Sequence, residues 1–321
     1  MKIGLIAESF EAEKGTGIAR YADELRKGLI ERGISVKSLS VNDYSVPFQG
    51  VFNHSLLYPS RVLMEMKNVD IVHATSPGTA FVFPFLRKPK VVTFHDMVSI
   101  LCGGSGAAFY TKKINPIIYK MIAAHSSKII ANSLQTKSEL VENLKISSEK
   151  INVVNMGISN AFFPISRMEL RECYFVGYLG SFLARKRIGY LIDSFNLLIN
   201  AHPELRVKLM IYGGTEKSEF ALSEQTKRLG LEGQVHIMGP APDEQINDIY
   251  NSFDVFVLPS EWEGFGIPIL EAQKCGVPVI IRGEAHIPGE TSLHCVKSSS
   301  CSDMADKMYA LLSDPVLRDR T

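Results

Sequence analysis

The sequence predicts an α/β protein built from two doubly wound domains, each with a parallel sheet. Short apolar runs typical of buried strands alternate with amphipathic helical stretches along most of the 321 residues. That length suits two domains better than one. The alternation is interrupted by an irregular stretch at residues 157–166 and then resumes. We therefore expect domains at residues 1–160 and 161–321 that face each other across a cleft.

The first half is predicted to alternate strands with helices. An apolar run at residues 2–7 precedes a polar loop and an amphipathic helix at residues 18–32, which ends at Gly33. Further strands are predicted at residues 36–41, 70–74, 90–96 and 127–133, with a helix near residues 115–124. Strands separated by helices form a parallel sheet that is covered on both faces.

The second half repeats this pattern. Strands are predicted at residues 173–180, 207–214, 235–239, 254–259 and 277–281, and helices at residues 188–201, 220–229, 243–252 and 268–275. In doubly wound sheets, ligands bind at the carboxyl ends of the strands. The loops that follow these strands are therefore where we look for a site.

Composition excludes several classes of protein. The 35 basic and 34 acidic residues balance, so there is no field that would attract nucleic acid. Five cysteines without CxxC spacing predict neither a disulfide framework nor a zinc site, and no acidic metal motif is present. The apolar run at the N-terminus is too short for a secretory signal, and no run of 18 apolar residues occurs. We expect a cytoplasmic protein.

The stretch EWEGFGIPILEA carries two glutamates around a glycine turn. It follows a predicted strand, and Pro268 suits the first position of a helix that ends at Gly276. Amides at such a helix start form an anion site. Glu271 lies one turn into the helix, where it either accepts ligand hydroxyls or only complements the helix dipole.

The stretch GSFLARKRIG places Arg185, Lys186 and Arg187 at the start of a helix. Three cations there are electrostatically unfavourable unless an anion joins them. A diphosphate would satisfy them, and the alternative is a solvated basic turn.

Two features of the first half are more ambiguous. Gly15 and Gly17 precede a helix, but the spacing from the strand and Arg20 argue against a dinucleotide fingerprint. His95, in TFHD, lies at the carboxyl end of a predicted strand and is either a site residue or a structural histidine.

Together these motifs resemble glycosyltransferase family 4, the group 1 glycosyltransferases, which have the GT-B fold. The strongest part is EGFGIPILEA, which matches the family's E-x7-E signature, followed by CGVPVI. GSFLARK, TGIARYADEL and TFHD occur in the family's order, and the resemblance covers nearly the whole chain.

The resemblance implies a role for each matching residue. Glu271 would bind the donor ribose, Arg185 and Lys186 would neutralise the diphosphate, and His95 would line the donor sugar pocket. Glu263 would hold the transferred sugar together with the amides of Gly264, Phe265, Gly266 and Ile267. The backbone near Met238 would meet the base, and the loop from Gly15 to Gly17 would approach the phosphates or the acceptor.

The implied reaction is metal-independent hexosyl transfer with retention, without a cofactor. The donor would be a GDP- or UDP-linked sugar, with mannose favoured by the GS...RK loop, and the acceptor a saccharide or a lipid-linked glycan. Two other functions stay open: a sugar-nucleotide epimerase, and a catalytically silent partner that binds nucleotide sugars. The family's C-terminal helices that cross back to the first lobe are expected to be missing, and Ser181 replaces a common arginine.

A helix near residues 114–122 carries lysines beside an apolar stripe. The stripe is either core or a peripheral contact with the inner face of a membrane.

Overall fold

The structure is a computed structural model that describes residues 1–11, 17–41, 58–101, 107–166, 173–214 and 216–320. For residues 107–111, 216–218 and 319–320 it describes the backbone only. The chain divides into two compact units, residues 1–156 and 157–321. No helix in the described ranges is both long enough and apolar enough to cross a membrane.

The first unit is built around a six-stranded parallel sheet with the strand order β2-β1-β3-β4-β5-β6. Its strands are β1 (Lys2–Ala7), β2 (Ser35–Ser40), β3 (Ile71–Ala74), β4 (Lys90–Phe94), β5 (Lys128–Ala131) and β6 (Ile151–Val153). Its helices are α1 (Gly17–Glu31), α2 (Tyr58–Glu65), α3 (Val98–Leu101), α4 (Ala107–His125) and α5 (Leu134–Leu144). This unit has its own core, which includes the fully buried side chains of Ile6 in β1, Val72 in β3 and Phe94 in β4.

The second unit has another six-stranded parallel sheet, with the order β12-β11-β10-β7-β8-β9. Its strands are β7 (Tyr174–Leu179), β8 (Val207–Tyr212), β9 (Val235–Ile237), β10 (Val255–Leu258), β11 (Val279–Arg282) and β12 (Val296–Ser298). Its helices are α6 (Ile188–Ala201), α7 (Glu216–Arg228), α8 (Ile246–Ser252), α9 (Ile267–Lys274), α10 (Gly289–Ser292), α11 (Cys301–Ser313) and α12 (Pro315–Arg320).

The strand order decides which loops can meet. β10 pairs in parallel with both β7 and β11, so the carboxyl ends of these three strands are neighbours. The four residues of β10 are all buried, and they pack in a core with α6 and α9. The loops after β7, β10 and β11 therefore share one edge of the sheet.

The segment after the first unit is tied to the second one. Lys274 Nζ, at the end of α9, donates to the carbonyl oxygens of Ile158 and Ser159 at 3.4 and 2.8 Å. Asn251 of α8 donates to the carbonyl oxygen of Phe163 at 3.0 Å. These contacts explain why the second unit begins at Gly157.

The predicted α/β organisation is confirmed, and several element boundaries were wrong. The bounds of β1 and α6 are as predicted, whereas α4, predicted near residues 115–124, begins at Ala107 and includes Pro116. The helix predicted from residue 243 begins with a 3-10 turn, Asp243–Gln245. The strand predicted to reach residue 96 ends at Phe94, because Asp96 Oδ1 accepts from Val98 N, at 3.0 Å, at the start of α3.

Candidate functional site

Lys186 and Glu263 form a buried ion pair between two loops of the second unit. Lys186 Nζ lies 2.6 Å from Glu263 Oε1, and the two side chains are 8% and 7% exposed. Arg185 Nη1 lies 3.7 Å from the other oxygen, Oε2. Lys186 follows β7 and Glu263 follows β10, so the parallel pairing of these strands brings together residues that are 77 apart in sequence.

The cations after β7 have carboxylate partners inside the protein. The predicted need for an anion is met inside the protein for two of them, because Glu263 pairs with Arg185 and Lys186, and the diphosphate stays a prediction. Arg187 Nη2 lies 2.6 Å from Glu261 Oε1. The alternative of a fully solvated turn is wrong, because Lys186 is buried. A bound anion would share these cations with the two glutamates.

Hydrogen bonds hold the loop after β7 in place. Tyr178 donates its hydroxyl hydrogen to the carbonyl oxygen of Ser181 at 2.8 Å, and Arg185 Nη1 donates to the carbonyl oxygen of Trp262 at 2.7 Å. Burial, and secondarily the negative charge of Glu263, raise the pKa of Tyr178, so this phenol is neutral and can donate. The two loops are therefore fixed against each other before any ligand binds.

The glycine turn shapes the start of α9. Gly266 caps the helix with φ +87°, and a Cβ there would lie 3.2 Å from the Ile269 side chain, so this position favours glycine. The helix begins at Ile267, one residue earlier than predicted, with Pro268 in its first turn. Phe265 is buried, which anchors the turn. First-turn amides such as that of Ile267 lack partners within a helix, and residues 264–266 lead into this turn, so anion binding by the amides of residues 264–267 stays a prediction.

Glu271 is a buried carboxylate with a defined partner. It is 4% exposed and accepts a 2.8 Å hydrogen bond, at Oε2, from the hydroxyl of Tyr250, which is fully buried. Tyr250 lies on α8 and was not among the predicted site residues. The only signal for it in the sequence is its place in the helix that precedes β10. The tyrosine orients the carboxylate.

Met238 lies beyond β9, at the same edge of the sheet. Its backbone N–H donates to the carbonyl oxygen of Ile211 at 2.8 Å, and its side chain is about half exposed. The next residue, Gly239, has φ +70° and accepts a 2.6 Å hydrogen bond from Gly213 N. A base-binding role for this backbone stays a prediction.

His95 belongs to the first unit and directly follows β4. It is 8% exposed, and its Nε2 donates to the carbonyl oxygen of Thr75 at 2.8 Å, which leaves Nδ1 as an acceptor in the neutral ring. Burial lowers the pKa of His95. Its ring meets Tyr21 edge to face, with the centroids 4.8 Å apart. His95 is thus a neutral hydrogen-bond acceptor.

The other predicted residues of the first unit are less informative. Gly17 is the first residue of α1, and Gly15 lies outside the described residues. In the parts of the chain that the structure describes, no group of three or more His, Cys, Asp or Glu side chains could hold a metal ion. The second unit thus brings together Arg185, Lys186 and Glu263, and it holds Glu271 on the adjoining helix.

Two family models match consecutive parts of the chain. The model for group 1 glycosyl transferases matches residues 169–321, and the model for glycosyltransferase family 4 matches residues 15–162. The chain belongs to the group 1 glycosyltransferases. The first match contains the ion pair and α9, and the second contains His95, so both halves of this group 1 glycosyltransferase are covered.

Curated relatives agree with this family assignment. The chain is 26% identical over 246 residues to an O-antigen chain mannosyltransferase B of Escherichia coli, covering 73% of this chain and 63% of the relative. It is 33% identical over 168 residues to a mannosylfructose-phosphate synthase of Agrobacterium fabrum, covering 48% and 37%. The chain therefore matches less than two thirds of the length of either relative.

Solved structures share the fold along almost the whole chain. A sucrose-phosphate synthase from Thermosynechococcus elongatus has a TM-score of 0.79 at 17% identity, covering 99% of this chain and 91% of that one. Anabaena HepE, solved with UDP and glucose, has a TM-score of 0.75 at 20% identity, covering 99% and 92%. The predicted GT-B fold class, with two Rossmann-like domains, is confirmed.

Proposed function

We propose that the protein is a retaining glycosyltransferase that moves a hexose, with mannose the first candidate, from a nucleoside diphosphate sugar to an acceptor. The acceptor is a saccharide or a lipid-linked glycan, and the reaction takes place in the cytoplasm. One observation carries the proposal: a buried lysine and a neighbouring arginine follow β7 and pair with a glutamate that follows the adjacent strand β10.

Arg185 and Lys186 stabilise the leaving group. Cleavage of the donor builds negative charge on the nucleoside diphosphate, and fixed cations at that point lower the barrier. The amides at the start of α9 add to the same potential. Because Lys186 is held by Glu263, its charge needs little reorganisation when the donor binds.

The two glutamates act at the two ends of the diphosphate. Glu263 lies beside the cations, where its negative charge would stabilise the positive charge that develops on the departing sugar. Glu271, oriented by Tyr250, accepts hydrogen bonds from the ribose hydroxyls. The backbone near Met238 meets the base. Glu263 therefore has an electrostatic and positioning role in this scheme.

The first unit contributes contacts to the sugar. His95 would accept a hydrogen bond from a sugar hydroxyl at Nδ1, since Nε2 is occupied by Thr75. By resemblance to the family, the loop containing Gly15 and Gly17 would contact the phosphates or the acceptor. Both roles are proposals that follow from the family assignment.

The donor is proposed to be linked to GDP or UDP. Two relatives have mannosyl chemistry in their names, which supports mannose. A structural neighbour was solved with UDP and glucose, which keeps UDP-glucose as a candidate. No cofactor or metal ion is proposed.

A panel of labelled nucleotide sugars tests this function. The protein is incubated with GDP-mannose, UDP-glucose, UDP-galactose and UDP-N-acetylglucosamine, and free sugar and nucleoside diphosphate are separated. Release of nucleoside diphosphate from one donor supports the proposal when the sugar is either freed by hydrolysis or, with a saccharide acceptor added, transferred to it with the α configuration retained by NMR. Conversion of one nucleotide sugar into another indicates an epimerase, and binding without turnover indicates a silent partner. The Lys186→Met variant is the matched control.

We also propose that α4 touches an anionic membrane that carries a lipid-linked acceptor. Ile114 and Ile117 are 47% and 70% exposed, whereas Ile122, further along the helix, is fully buried. The predicted apolar stripe is thus only partly core. Lys113 and Lys120 are exposed on the same helix, as expected for an interfacial helix.

Liposome co-sedimentation tests this contact. The protein should pellet with vesicles that contain anionic lipid, and an Ile114→Ser/Ile117→Ser variant should stay in the supernatant. Equal recovery of the wild-type protein with and without anionic lipid would rule the contact out.

A further inference from the structure

Arg187 adopts a backbone conformation that its side chain does not favour. It has φ +52° and ψ +39°, the left-handed region, and it directly follows Lys186 at the start of α6. A non-glycine residue there costs energy, and such residues persist where surrounding contacts hold them. Arg187 is held by Glu261, whose Oε1 lies 2.6 Å from Nη2. The strained residue and the buried cation are adjacent.

Glu261 connects three loops at the carboxyl edge of the sheet. Its N–H donates to the carbonyl oxygen of Arg185 at 2.8 Å, and its own carbonyl oxygen accepts from His286 N at 2.8 Å. Its carboxylate binds Arg187 and lies 3.9 Å from Arg282 Nη1. One residue thus ties the loop after β10 to the loops after β7 and β11.

Arg282 makes the carboxylate of Glu261 hard to replace. This guanidinium is 8% exposed, stacks over Tyr190 of α6 at 5.0 Å, and has an ion pair with Glu284. Its Nε and Nη1 are buried, and neither has a hydrogen-bond partner among the residues that the structure describes. Glu261 is the carboxylate that faces Nη1. A neutral side chain at position 261 would leave Arg187 and Arg282 with less compensating negative charge.

We propose that Glu261 is a positioning residue, which keeps Arg185 and Lys186 in the place where they meet the diphosphate of the donor. The proposal rests on the function proposed above and adds a residue to it. Glu261 and Arg187 are 45% and 51% exposed, so their pair contributes little to global stability. Loss of this pair is therefore expected to weaken diphosphate binding more than it lowers the free energy of unfolding.

The test compares binding of UDP with uridine, and of GDP with guanosine, by calorimetry or competition. Glu261→Gln should weaken diphosphate binding roughly tenfold, within the range for coupled residues of one ion-pair network. The nucleoside affinity and the melting temperature should stay as in the wild type. Glu284→Gln removes the same charge from the other partner of Arg282 without touching the loop after β7, and should behave as the wild type.

A double-mutant cycle tests whether Glu261 acts on diphosphate binding through Arg187. Glu261→Gln should cause no further loss of diphosphate affinity in an Arg187→Met background. Any of three results would overturn the role of Glu261. They are full additivity of the two substitutions, an unchanged diphosphate affinity in the Glu261→Gln variant, and equal weakening of nucleoside and diphosphate binding. If the wild-type protein binds neither UDP nor GDP, the proposed function fails, and the role of Glu261 fails with it. If the wild-type protein binds one of them and the results above are found, only the role of Glu261 fails.

Discussion

Replacing Lys186 with methionine should lower turnover by two to three orders of magnitude. The ammonium group is buried beside Glu263 and faces the proposed diphosphate position, so its loss removes one fixed contact to the developing charge. In other enzymes, losing one such contact raises the activation free energy by about 2.7–4 kcal/mol, which lowers kcat by a factor of roughly 10²–10³. The assay is release of nucleoside diphosphate from the donor that the wild-type protein accepts.

The same substitution should destabilise the protein, and this effect can be separated from the loss of turnover. It leaves Glu263 buried, with Arg185 at 3.7 Å as the cation that still pairs with it among the described residues. Removal of one partner of a buried ion pair lowers the free energy of unfolding by roughly 3–5 kcal/mol. Because Arg185 remains beside Glu263, we expect a loss near the lower end of this range.

A Lys186→Met/Glu263→Gln variant removes both charges of the pair. It should regain most of the free energy of unfolding, measured by urea denaturation, and regain no turnover. Turnover within tenfold of wild type in the folded Lys186→Met variant would refute the assignment. Recovery of turnover in the double variant would show that the loss came from folding.

Three further substitutions test other parts of the structure. Tyr250→Phe removes the hydroxyl that donates to the carboxylate of α9, and should raise the donor KM roughly three- to tenfold with kcat little changed in steady-state kinetics. Gly177→Ala places a Cβ 2.2 Å from a buried phenylalanine ring and should cost about 1–3 kcal/mol in urea denaturation, whereas Gly233→Ala, with no atom within 4 Å, should not. Burial lowers the pKa of His73 from 6.5 to about 4, so between these values the unfolded chain binds a proton that the folded protein does not. The free energy of unfolding should therefore fall as the pH is lowered from 6.5 towards 4, by at most about 1.4 kcal/mol per pH unit from this group, and His73→Gln should show a shallower slope.

The alternation of strands and helices was predictable because each element carries its own local signal. The bounds of β1 and α6 follow from an apolar run and from helical periodicity. Two of the shortest strands were not predicted. β6 and β12 have three residues each, and their pairing with β5 and β11 stabilises them more than their sequences do.

The site was predictable in its residues but not in its contacts. Lys186 and Glu263 were both candidates, yet nothing in a sequence separation of 77 indicates that they pair. Their pairing depends on strand order, which places β7 beside β10. The left-handed conformation of Arg187 could not be predicted either, because no glycine marks the position.

The most direct test of the account is a structure of the protein with UDP or GDP bound. We expect the diphosphate to contact Arg185, Lys186 and the amides at the start of α9, and the ribose hydroxyls to bind Glu271. A nucleotide that binds elsewhere and leaves the pair of Lys186 and Glu263 without a ligand contact would contradict the central claim.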